Sequence, residues 1–61
     1  MTNEEKEVLI NYHWNRIQHF ISDMFEETNK VNHKPNKDVI FTSMNKINRE
    51  IEIIRNYENR S

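Results

Sequence analysis

The chain has 61 residues, nine of them Lys or Arg and ten Asp or Glu, and its formal net charge is −1. It contains no cysteine and no glycine, which excludes disulfides, thiolate metal sites and glycine-rich phosphate loops. The charge balance argues against a polybasic nucleic-acid arm. No apolar run approaches the roughly 20 residues that span a bilayer. The acidic start differs from a secretory signal, so we expect a cytoplasmic location and no membrane contact. Abundant Asn, Ile and Lys indicate a low-GC bacterium or its phage.

The first predicted element is a helix over about residues 3–27. Thr2 and Glu5 have the spacing of a capping box, which satisfies free amides at a helix start. Behind them, large residues recur at helical spacing and form a broad inward face. Five of these residues are assigned to the core of the hairpin or dimer: Ile10, Ile17, Phe20, Ile21 and Met24.

Residues 28–36 are predicted to form the connecting loop. The segment is polar, and Pro35 cannot continue a helix. Asn29 or Asn32 is expected to take the left-handed conformation that often ends a helix. Asn36 is expected to cap the next helix.

A second helix is predicted over about residues 37–57. Its apolar residues recur in steps of four and three along one side. They are assigned to the core of the hairpin or dimer: Ile40, Met44, Ile47, Ile51 and Ile54. Two such helices joined by a short loop predict an all-α, single-domain, antiparallel hairpin. Because the apolar surface exceeds one helix contact, we expect a homodimer that forms a four-helix bundle.

The residues suited to chemistry do not form a catalytic or metal-binding pattern. His13 lies on the inward face and is interpreted as a packing residue. His19 and Asp23 share a face, but protein metal sites need three or four ligands, so neither a metal nor another cofactor is predicted. Glu50 is expected at the edge of the stripe with its carboxylate in water, where Arg16 or Arg49 could pair with it.

Exposed aromatic and arginine side chains give a better signal, because such residues dominate protein-binding hot spots. They could bind a partner or close the dimer. The candidates for contact with a partner are Trp14, Phe41, Asn45, Asn48, Arg49 and Glu52.

The second helix resembles that of the short sporulation-regulatory aspartyl-phosphate phosphatases, whose signature is Ser-Gln-Glu-Leu-Asp. In one register the signature aligns with residues 44–48, so that Asn45 replaces its glutamine and Ile47 its leucine. In a second register it aligns with residues 48–52, which retains Glu50 and an acid at Glu52. The resemblance implies a hairpin that docks on a receiver domain, where an amide and an acid position water against the aspartyl phosphate. Met44 and Asn48 stand in the first register where the family has serine and aspartate, which weakens that activity.

The sequence therefore predicts a small non-catalytic regulatory protein that binds and modulates or inhibits a larger partner protein. The first alternative is a phosphatase that acts on a response-regulator receiver domain. The second is an RNA-binding hairpin dimer, which the charge balance disfavours. Its candidate phosphate contacts are Lys30, Lys34, Lys37, Lys46, Arg49 and Arg55.

Overall fold

A computed structural model describes residues 2–30 and 34–59, and these form two helices. The first, α1, is Asn3–Thr28, and the second, α2, is Lys37–Glu58. No strand occurs in the described ranges. The predicted all-α hairpin is confirmed. Neither helix is long and apolar enough to cross a membrane.

Both helix starts are capped by the predicted side chains. The hydroxyl of Thr2 accepts a hydrogen bond from the Glu5 amide at 3.1 Å, and the Asn36 side chain accepts one from the Asp38 amide at 2.9 Å. The predicted left-handed conformation is wrong for Asn29, whose φ is −97°. Its amide instead donates to the Phe25 carbonyl at 3.0 Å, which ends α1 with an ordinary helical bond. Asn32, the other candidate, lies outside the described residues.

The helices run antiparallel in a thin plate whose Cα dimensions are 49 × 15 × 8 Å. His13 near the start of α1 contacts Glu50 and Tyr57 in the second half of α2. Farther along, the Lys46 ammonium lies 5.6 Å from the Phe20 ring centroid. The plate is one helix layer thick, so each side of it faces solvent in the single chain.

The line along which the two helices meet is more polar than the sequence predicted. In the described residues only Ile17 and Ile54 are buried apolar residues, whereas the buried polar residues are Glu27, Ser43 and Glu50. In α2 the residues along this line are buried or half-buried and follow a seven-residue repeat. They are Ile40, Ser43, Ile47, Glu50, Ile54 and Tyr57. A polar residue thus alternates with an isoleucine along this line.

The residues predicted for the core of the hairpin or dimer are divided between the helix contact and one side of the plate. The residues that are buried or half-buried as predicted are Ile10, Ile17, Phe20, Met24, Ile40, Ile47, Ile51 and Ile54. Ile21 and Met44 do not belong to the core of the single hairpin, since they are 39% and 45% exposed. Met44 is exposed because α2 is rotated about its axis so that Glu50 faces α1, which leaves Met44 on one side of the plate.

Candidate protein-binding surface

Glu50 is held between the helices by two residues of α1. Its side chain is 6% exposed, and its Oε1 accepts the Arg16 Nε–H at 2.7 Å. Its Oε2 accepts a hydrogen bond from Nδ1 of His13, which is also largely buried. The expectation that the Glu50 carboxylate lies in water is wrong, because both oxygens are satisfied by partners from α1. Of the two arginines considered for it, the partner is Arg16.

The contacts of Glu50 shift the pKa of two groups. Burial raises the pKa of Glu50, but the hydrogen bonds from Arg16 and His13 and their charges outweigh burial and leave it below its usual value. The Arg16 pKa is raised, first by its hydrogen bond to Glu50 and then by that to Tyr12. Glu50 is thus an ionised carboxylate in a structural ion pair, and nothing in this arrangement positions it as a general acid.

Aromatic rings continue this cluster on one side of the plate. The Arg16 guanidinium lies 5.8 Å from the Tyr12 ring centroid and 5.6 Å from that of Phe20. Lys46 lies over the same Phe20 ring. Since Arg16 and Lys46 reach one ring from two helices, they share a side of the plate. We call it the polar side and define it by Tyr12, Arg16, Phe20 and Lys46.

A second buried carboxylate, Glu27, ties the end of α1 to the start of α2. Its Oε2 accepts the backbone N–H of Asn36 at 3.2 Å, and its Oε1 accepts from the Lys30 ammonium at 3.2 Å. Asn36 is the residue that caps α2. The carboxylate therefore lies at a helix start, where backbone dipoles favour negative charge.

The other side of the plate is apolar. Trp14 is two residues from Arg16, and Met44 is two residues from Lys46, so both point nearly opposite to the polar side. Ile21 and Phe25 follow Trp14 at spacings of seven and four, and Ile51 follows Met44 at seven, which keeps each set in one stripe. We call this surface the apolar side and define it by Trp14, Ile21, Phe25, Met44 and Ile51.

Five of the six predicted contact residues lie together on a third surface, which points away from α1. All five are exposed, and Phe41 is 59% exposed. We call this surface the outer face of α2 and define it by Phe41, Asn45, Asn48, Arg49 and Glu52. A shallow groove at the edge between this face and the polar side is lined by Thr42, Asn45, Lys46 and Arg49.

The sixth predicted contact residue, Trp14, is separated from the other five. It lies on α1 and on the apolar side, where its side chain is 48% exposed. From the sequence, Phe41 is an aromatic residue off the apolar stripe of its helix, and Trp14 is large for the edge of a two-helix contact. Both are therefore candidates for contact with a partner. The hairpin puts them on different surfaces. Trp14 lies on a side of the plate, whereas Phe41 lies on the face of α2 that points away from α1.

Four of the six cationic residues considered for RNA lie on different parts of the hairpin. Lys30 is paired with Glu27, and Lys46 lies on the polar side. Arg49 belongs to the outer face of α2, while Arg55, by helical spacing, flanks the apolar side. Such a distribution gives no single stripe for a phosphate backbone.

No group of three or more potential metal ligands forms among residues 2–30 and 34–59. His19 and Asp23 are both exposed, and His33 lies outside the described residues. His13, interpreted from the sequence as a packing residue, is half-buried and bonds to a carboxylate.

The sequence missed the roles of Glu50 and Glu27. For Glu50 there was a signal, since it falls seven residues after Ser43 and seven before Tyr57, in phase with Ile40, Ile47 and Ile54. For Glu27 the signal was its place in the seven-residue repeat that runs through Phe20 and His13. Both are carboxylates at positions where a heptad pattern calls for a core residue.

The two registers of the phosphatase signature place their residues differently. In the first, Ile47 is half-buried between the helices, while Asn45 and Asn48 are exposed on the outer face of α2. In the second, the retained glutamate is Glu50, which is buried and bound to Arg16. Asn48 is exposed in either register, so the registers differ in that the second places its glutamate, Glu50, out of reach of a docked protein.

No protein-family model, curated protein or solved structure matches this chain. The surfaces of the hairpin are therefore the features that bear on its function.

Proposed function

We propose that the chain is a small non-catalytic regulatory protein that binds a larger protein through the outer face of α2 and thereby modulates or inhibits it. The observation that supports this most strongly is the exposure of Phe41, at 59%, on the same helix face as Arg49. An exposed aromatic ring and a guanidinium on one helix face, about two turns apart, are residue types that interface hot spots favour.

The polar residues around Phe41 also favour recognition. Within the described ranges, the side chains of Asn45, Asn48, Arg49 and Glu52 make no hydrogen bond or ion pair with the rest of the hairpin. Their donors and acceptors are thus available to a partner. Because all lie on one helix, binding orders few backbone angles, which lowers its entropic cost.

The mode of binding that fits this surface is a helix laid in a groove or against a flat face of the partner. Phe41 would fill an apolar pocket, and the amides and Arg49 would set the register along the helix. A rigid hairpin docked in this way can occlude a surface of the larger protein. Such inhibition needs no catalytic group.

The experiment is quantitative affinity capture of the tagged chain from a lysate of the organism that encodes it, with and without nuclease. The wild type is compared with Phe41→Ala/Arg49→Ala. The matched control is Val8→Ala/Asn15→Ala, which alters exposed residues on the outward face of α1, where Val8 is 67% exposed. We expect the wild type and the control to recover one defined protein, both with and without nuclease. The Phe41/Arg49 variant is expected to recover at least about tenfold less of that protein.

Equal recovery with the Phe41/Arg49 variant and the wild type would contradict the proposed surface. Recovery that disappears with nuclease would favour the RNA alternative. If the recovered protein is a response regulator, the chain would be added to its phosphorylated receiver domain. Faster loss of phosphate than without the chain would then favour the phosphatase alternative over a non-catalytic regulator.

A further inference from the structure

The hairpin leaves the central part of one side of its plate apolar and uncovered. On this apolar side Phe25 is 63% exposed and Trp14 is 48% exposed. Ile21 and Met44 add to the same surface at 39% and 45%. A groove that crosses from α1 to α2 on this side is lined by Ile21, Met24, Phe25, Thr28 and Ile40.

The central part of the apolar side carries no charge. The charged residues between positions 14 and 25 of α1 are Arg16 and Asp23, which helical spacing places toward the polar side. Between positions 44 and 51 of α2, Lys46 points to the polar side, Arg49 to the outer face and Glu50 to the other helix. Two copies of this side can therefore meet without placing like charges opposite each other.

The area that the chain exposes is also too large for a compact monomer. Its accessible surface is 5167 Å², whereas a compact monomer of 7.6 kDa exposes about 4,300 Å². The excess of about 900 Å² is close to the roughly 800 Å² that each partner buries in a standard interface. In the described part of the chain the buried apolar residues are Ile17 and Ile54, which is a very small core for a sequence without cysteine.

We propose that a second copy of this chain covers the apolar side, so that two hairpins pack face to face as a four-helix bundle. The interface consists of the apolar side of each copy, with Trp14 and Phe25 as its largest side chains. In this arrangement Trp14 is a dimer residue. The outer face of α2 stays accessible, so the dimer does not depend on the function proposed above, and either proposal can fail without the other.

The first test is sedimentation equilibrium of the full chain, with Phe25→Lys as the interface variant. Val8→Lys is the matched control, since it places the same charge on a more exposed apolar residue of α1 that points away from the apolar side. We expect the wild type and control to have twice the chain mass of 7.6 kDa. The dimer dissociation constant of Phe25→Lys is expected to rise at least about tenfold.

A second measurement needs no variant. Because only a dimer gains stability by mass action, the wild-type melting temperature is expected to rise as its concentration is raised from about 1 μM to about 500 μM. Trp14 is the single tryptophan, so its emission is expected to shift to longer wavelength as dilution exposes it to water. A folded wild type that is monomeric at the highest concentration, with a constant melting temperature, would overturn the proposal. An equal loss of dimer with Val8→Lys would overturn the assignment of the interface.

Discussion

Arg16 in α1 donates its Nε–H to the Oε1 of Glu50 in α2 at 2.7 Å, and this bond crosses from one helix to the other. With the bond from His13 to the second oxygen, it fixes which residue of α2 stands opposite which residue of α1. Isoleucines alone specify the register of the two helices weakly. If one helix slides along the other, one isoleucine takes the place of the next and a similar apolar contact is kept. A buried polar pair resists such sliding, since a shifted register would leave the carboxylate without partners.

Replacing Glu50 with alanine is expected to lower the free energy of unfolding by about 1–3 kcal/mol. The variant leaves the half-buried His13 without its acceptor and removes the partner of the Arg16 guanidinium. The measurement is urea unfolding followed by circular dichroism at neutral pH and at fixed chain concentration.

The control for this prediction is Glu52→Ala, which removes the same kind of side chain two residues away on an exposed face. Its effect is expected to stay within about 0.5 kcal/mol. Equal effects of Glu50→Ala and Glu52→Ala would show that the buried pair does not contribute to stability.

The lowered pKa of Glu50 predicts an acid-sensitive contribution to stability. A carboxylate whose pKa is lower in the folded chain contributes fully above its unfolded pKa, about 4.3 for glutamate. As the pH falls below that value, the unfolded chain binds the proton first, and the contribution is lost as the pH passes the folded pKa. The Arg16 guanidinium stays charged throughout, so the change belongs to the carboxylate.

The measurement compares the wild type with Glu50→Gln by denaturant unfolding between about pH 5 and pH 2. The wild type is expected to be more stable near pH 5, and the difference between the two is expected to shrink as the pH falls. A difference that stays constant to pH 2, or grows, would contradict the account of Glu50 as an ionised, hydrogen-bonded residue.

Glu27→Ala is expected to loosen the junction between the helices and to cost about 1–2 kcal/mol. The reason is that the Asn36 backbone N–H loses its acceptor at the start of α2. Amide hydrogen exchange of the first turn of α2 is expected to become faster than that of its centre. Glu26→Ala, one residue earlier and exposed, is the control and is expected to leave exchange unchanged.

Asn36→Ala tests the other half of this junction. It removes the side chain that accepts from the Asp38 amide and is expected to cost about 1 kcal/mol, as is usual for a helix cap. Thermal unfolding at fixed chain concentration measures the effect. Because the carboxylate of Glu27 and the side chain of Asn36 both hold the first turn of α2, one change loosens the contact that the other removes. The double variant is therefore expected to cost less than the two single changes together. Strictly additive costs would contradict this coupling.

The fold was predictable because helix caps and apolar spacing are local signals. Thr2 and Asn36 cap the helices as expected, and the helix bounds differ from the expected ones by one residue at the C-terminal end of each helix. These features depend on residues within one turn of each other. The antiparallel pairing follows from the short loop.

The rotation of α2 about its axis was not predictable from apolar spacing alone. Met44 and Ser43 are neighbours, and the hydrophobic one was expected to face α1. The structure buries Ser43 and exposes Met44, because pairing of Glu50 with His13 and Arg16 turns that line inward. This outcome depends on a contact between residues more than 30 positions apart, which a helical pattern does not contain. The same rotation separates Trp14 from Phe41.

If the outer face of α2 binds a larger protein, as we propose, residues of that face lie against the partner in the cell. The most direct measurement places a photoreactive phenylalanine analogue at Asn45 in one variant and at Asn15, on the outward face of α1, in another. Each variant is irradiated in the organism that encodes the chain. We expect a covalent adduct with one larger protein from position 45 and none from position 15. No adduct from position 45, or the same adduct from both positions, would contradict it.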